Sequence, residues 1–224
     1  MTEEEWLACD DPEPMFDLLP TDASDRKLRL FGVACCRHVE EHLWAGIGSH
    51  VAIKVAEEYA DGLSTVEELR TAQQAVESHL ELYPGEPVYD ASFWACSKAM
   101  NEAAWRCAFY AANCTMRPFD GKGPECDTEA VTVRITATRA QAAFLRDIFG
   151  NPFRYVAVDS AWLTSTVKAL ARQMYESRDF PAMPILADIL EDAQCDTAEI
   201  LNHCREPGPH VRGCWVVDLV LGKA

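Results

Sequence analysis

Two stretches of this chain hold histidine and cysteine at spacings that bind metal or activate a thiol. The first is His38-Val39-Glu40-Glu41-His42, the H-x-x-E-H pattern of inverted zinc peptidases. Two histidines four apart share one face of a helix and can chelate zinc, with the glutamate as base. Cys35, His38 and His42 fall at i, i+3 and i+7 and form a second way to hold an ion on that face. A peptidase needs a third protein ligand, and Glu57 or Glu58 are available for it. The second set is Cys195, His203, Cys204, His210 and Cys214 near the C-terminus. His210 and Cys214 have the spacing of half a zinc site, and Cys195 or Cys204 can complete it. Against both sets stands the ordinary role of such residues, in which buried thiols pack and a histidine bonds to backbone. No Cys-x-x-Cys occurs, so the strongest zinc and redox spacings are missing.

The C-terminal set lies in a block of unusual density, HCREPGPHVRGCWVVDLVLGK from His203 to Lys223. Glu206 to Pro209 is a breaker cluster and predicts a loop. Arg212 to Leu221 predicts a short buried helix, apolar apart from Asp218. An aspartate inside such a run needs a partner, and Arg212 is the nearest cation. Arg212, Trp215 and Asp218 are therefore the candidate ligand-binding residues, with a structural ion pair as the plainer alternative. Nucleophilic catalysis has little support: there is no G-x-S-x-G, no glycine-rich phosphate loop and no P-loop lysine.

The elements that must position these groups read as helices. Thr2 with Glu5, Ser64 with Glu67 and Asp196 with Glu199 have capping-box spacing and open three of them. Leu28, Phe31, Cys35, Val39 and His42 form one apolar stripe on a helix running from Ser24 or Asp25 to about Leu43. Ala91 to Cys114 has no internal glycine or proline and predicts one long alanine-rich helix, on which the cysteines are small packing residues. Arg117 to Cys126 predicts a loop. Val131 to Thr136 alternates like a strand, but the helical run after it extends the helix back over it. Gly150 and Pro152 end that helix. Thr164 opens another, and Pro184 to Cys204 forms a helical hairpin ahead of the terminal block. The expected fold is all-α: a multi-helix bundle of about eight helices with a C-terminal helical hairpin and a short terminal helix, in one domain over residues 1–224.

Composition narrows the function. A net charge of −16 argues against a phosphate-tracking surface, which needs a basic stripe, so no nucleic-acid partner is expected. The acidic start MTEEEW lacks a signal's basic and apolar regions, and no apolar run is long enough to span a bilayer. The expected location is the cytoplasm, with no membrane partner. Ten cysteines are then expected as free thiols, too sparse for a disulfide scaffold.

Three stretches of the chain resemble an uncharacterised bacterial family of all-helical proteins. They are MTEEEWLACDDPEPM, SDRKLRLFGVACCR, and RDIFGNPFR followed by ILADILEDAQC and GPHVRGCWVVDLVLGK. The resemblance implies a single coherent module and carries no catalytic residue with it. The expected function is thus a helical interaction or regulatory module with a protein partner, without catalysis and without a resident cofactor. The alternative is a metal-dependent enzyme or a zinc-stabilised domain built on the His/Cys sets.

Overall fold

The computed structural model describes residues 1–19, 23–39, 47–82, 87–98, 100–113 and 128–223. Among these residues there are twelve α-helices and no strand. The all-α expectation holds, with more and shorter helices than the sequence predicts. Contacts group the chain into two compact units, Met1–Leu145 and Arg146–Ala224. The sequence reading of one domain over 1–224 places no boundary there.

The first unit opens with α1 (Glu3–Ala8), closed by the capping box of Thr2 and Glu5, and with α2 (Pro12–Phe16). Its centre is α3 (Asp25–His38), in which every residue from Leu28 to Cys36 is buried. Against α3 pack α4 (Ile47–Ala60), α6 (Pro87–Ala95) and α7 (Asn101–Asn113), while α5 (Val66–Leu82) packs on α4 and α6. A helix buried all round must satisfy any polar side chain it carries. Arg29 does so by donating to the Ala95 and Lys98 carbonyls at 2.8 and 3.4 Å, with its guanidinium 5.0 Å from the Tyr59 ring centre.

Three sequence expectations are corrected here. The single helix over Ala91–Cys114 is two helices, because the chain breaks between Ala95 and Asn101 and Arg29 takes carbonyls freed at that break. The second capping box belongs to Thr65 and Glu68, while Ser64 donates its hydroxyl to Glu58. The third is absent: Thr197 is the N-cap of its helix without a side-chain hydrogen bond, and Glu199 pairs with Arg154. The Arg117–Cys126 loop lies outside the described residues.

Helix α8 (Thr128–Phe149) includes the alternating Val131–Thr136 segment as helix and ends at Gly150. Its last turn enters the second unit, which continues through an irregular segment and a 3-10 turn at Ser160–Trp162. Then come α9 (Ser165–Ser177), α10 (Met183–Asp192), α11 (Ala198–Arg205) and α12 (Trp215–Leu221). Thr164 caps α9 by accepting from the Val167 N–H. The core of this unit draws Val167, Met174, Leu186, Leu190, Leu201 and Val217 from all four of those helices. α9 packs on α10 and α12, and α11 packs on α10 and α12. The expected hairpin is α10 with α11, and the terminal helix starts three residues later than predicted, at Trp215.

Candidate metal centre

Four side chains of the second unit converge: Asp147, His203, His210 and Cys214, whose ligating atoms all lie within 4.8 Å of one another. Each has a different support. Asp147 is in the last turn of α8 and His203 in the last turn of α11. His210 stands on the loop between α11 and α12, and Cys214 is the N-cap of α12. The turn after α8 is held by Gly150, at φ 70°, where a Cβ would sit 3.3 Å from the Trp215 ring. Only glycine combines that backbone with that contact. Trp215 in turn lies tilted against His203, with ring centres 5.1 Å apart, so it walls the cluster.

Asp147 organises the four. Its Oδ1 accepts from His210 Nδ1 at 2.7 Å and from His203 Nε2 at 3.1 Å. Its Oδ2 accepts from the Val211 N–H at 2.8 Å. The carboxyl is 3% exposed, and burial by itself raises its pKa. The hydrogen bonds and charges of His203 and His210 outweigh that burial and hold it below the usual carboxylate value. It is therefore ionised, and the two imidazole nitrogens facing it act as donors. Cys214 Sγ lies 3.2 Å from His203 Nε2. Its thiol is fully buried, and burial, then the charge of Asp147, push its pKa well up.

This arrangement is not a cysteine–histidine–aspartate triad. A triad histidine uses one nitrogen for the nucleophile and the other for the carboxylate. Here the same Nε2 of His203 faces both the thiol and Asp147, so a proton donated to the carboxylate leaves no lone pair for the thiol. A buried thiol with a raised pKa is also inert as a nucleophile. Two imidazoles, a carboxylate and a thiol do match the ligand types of zinc, and four of them fill its tetrahedron.

The C-terminal set is thus brought together in part. His203, His210 and Cys214 meet. Cys195 and Cys204 are not in the cluster: both are buried in the apolar core, and burial pushes the Cys204 thiol up to about 12. Asp147 completes the group and is the member that sequence spacing misses. Of the candidate ligand-binding residues, Trp215 stands beside the cluster and Arg212 has its guanidinium 4.6 Å from the Tyr175 ring centre. Asp218 is buried within α12. The other candidate set, Cys35, His38 and His42, has only its first two members among the described residues. Cys35 is buried in α3, and His38 is exposed with its ring edge-on to Phe144. His42 and Glu41 lie outside the described residues. Glu57, available in sequence as a third ligand, is engaged by Arg37 at 3.0 Å.

Fold and site together define an all-helical protein with an internal aspartate/histidine/cysteine cluster. No family model, no curated protein and no solved structure matches the chain, so the family resemblance rests on the quoted stretches alone.

Proposed function

We propose that the chain is a non-catalytic helical module whose second unit binds one zinc ion through Asp147, His203, His210 and Cys214, the ion displacing the protons that His203 Nε2, His210 Nδ1 and the Cys214 thiol hold in its absence. The observation that carries this is the convergence of four zinc-type ligand atoms within 4.8 Å, from three helices and a loop. The donor set favours zinc over magnesium or calcium, which take oxygen ligands in larger number. Four protein ligands leave no open position for water or substrate, which is the pattern of a structural site. A module of this kind acts through what its surface contacts. A net charge of −16 turns that surface away from phosphate backbones and suits a protein partner.

The test is the metal content of the full chain purified without chelator. We expect one zinc per chain by mass spectrometry of the element. Asp147→Ala and His210→Ala should each lower retention after dialysis by tenfold or more, about the effect of losing a ligand or its support. Cobalt substitution should give the visible bands of a tetrahedral centre, with a thiolate charge-transfer band that Cys214→Ser removes. A chain that carries no zinc and takes none up at micromolar concentration would overturn the reading.

A further inference from the structure

We infer that zinc is a reversible effector of an already folded unit, read out on the surface by the loop between α11 and α12; this rests on the zinc reading above. Three observations carry it. The first is where the core lies. The apolar cluster of the second unit is built by α9, α10, α11 and α12, and Cys214 is the one zinc ligand that belongs to it. Small domains that fold only with metal lack such a core and take their folding free energy from the ion. Here the packing exists beside the site.

The second observation is that the ligands satisfy one another. Both Asp147 oxygens accept hydrogen bonds, from His210, His203 and the Val211 N–H, and Cys214 Sγ faces His203 Nε2. A buried carboxylate with three donors needs no ion to stay charged. The cluster is therefore compatible with the folded unit in its hydrogen-bonded form.

The third is dimension. Zinc–nitrogen and zinc–oxygen bonds of about 2.0–2.2 Å, and a zinc–sulfur bond of about 2.3 Å, set tetrahedral edges of about 3.3–3.6 Å. Three of the six edges measure 2.7, 3.1 and 3.2 Å here, and all six lie within 4.8 Å. Zinc must lengthen those three edges by a few tenths of an ångström, so the ligands have to rearrange around it. Asp147 and His203 are fixed in helices, and Cys214 starts one. His210 alone stands on a loop, whose preceding residues Glu206 to Pro209 are exposed. The rearrangement falls on that loop, so occupancy changes the surface that a partner meets at residues 206–211.

The experiment compares the full chain after exhaustive dialysis against a chelator with the same sample given one equivalent of zinc chloride. We expect the same helical circular dichroism in both, a cooperative melt in both, a higher Tm with zinc, and a severalfold change in the rate of proteolysis within residues 206–211. His210→Gln keeps an amide donor toward Asp147, so it should fold, and proteolysis of its loop should no longer respond to zinc. Loss of helix and of cooperative melting on chelation would overturn this inference while leaving the zinc site standing. An unchanged loop in a chain that binds zinc would overturn the surface readout. Failure to take up zinc at all would instead sink the zinc reading, and this inference with it.

Discussion

A buried group keeps its charge only where partners outweigh desolvation, and Asp147 and Cys96 fall on opposite sides of that balance. Asp147 has two imidazoles and a backbone N–H, and its carboxyl is held low. Cys96 donates toward the Ala52 carbonyl at 3.4 Å, and burial pushes its thiol up to about 12 from 9.0, against the pull of Arg29. The folded form therefore keeps a proton that the unfolded form releases above about pH 9. Stability contributed by the neutral thiol is fully present below the unfolded pKa and is lost as pH rises toward the folded one. Between about pH 9 and about pH 11, Cys96→Ala should show a shallower fall in stability than the parent, by up to about 1.4 kcal/mol per pH unit. Urea unfolding of both proteins across that window measures the difference, and parallel curves would remove the claim. The same scale shows what the sequence could and could not convey about the site. His203, His210 and Cys214 were legible because they crowd one short block. Asp147 was not, because an acid in a distant helix reads as a solvated group. One signal did exist: Asp147 sits between Leu145 and Ile148, both buried, and a carboxylate among buried positions demands a partner.

At the scale of the helix, close approach decides the packing of α3 on α7. A Cβ at Gly32 would meet Cys107 Sγ at 3.1 Å and Cys107 Cβ at 3.3 Å. That sulfur cannot easily yield, because it donates toward the Gly32 and Ala91 carbonyls at 3.2 Å and touches Cys36 Sγ at 3.4 Å. Glycine to alanine in a helix interior normally gains about 1 kcal/mol. Overpacking costs about 1–3 kcal/mol, so at this position the loss wins. Gly32→Ala should lower stability in urea unfolding, and pairing it with Cys107→Ala should cost less than the sum of the two single changes. Additive effects would show that the two residues do not press on each other. Helix identity was largely legible, since propensity and apolar stripes are local. Helix ends were less so. Ser64-x-x-Glu67 and Thr65-x-x-Glu68 overlap, and only the fold selects the second, by giving the Ser64 hydroxyl to Glu58. The break between α6 and α7 has no glycine or proline to announce it, and there a residue from α3, Arg29, takes the carbonyls.

For the whole molecule the dominant fact is charge. The chain has 36 acidic and 20 basic side chains, and its boundary between units falls inside α8, where no glycine- or proline-rich linker marks it. Among the described residues no helix is long and apolar enough to cross a membrane, in line with so acidic a chain. Salt acts on such a molecule in two directions. It weakens exposed pairs such as Arg70 with Glu67, Arg139 with Asp10 and Arg154 with Glu199, which contribute little in water. It also screens the repulsion among the excess carboxylates, which acts over a Debye length of about 10 Å at 0.1 M and so includes many neighbours at once. Each pair is local, whereas an excess of sixteen negative charges is spread over the chain. Repulsion should therefore be the larger effect. At constant zinc loading, Tm should rise as sodium chloride is increased from about 0.02 M to about 0.5 M, the range over which the Debye length shrinks severalfold. Substituting Lys or Arg for exposed acids outside the pairs should flatten that rise, because it removes the repulsion that salt would otherwise screen. A Tm that falls with salt would mean that the local pairs, and not the net charge, set the electrostatic contribution to the fold.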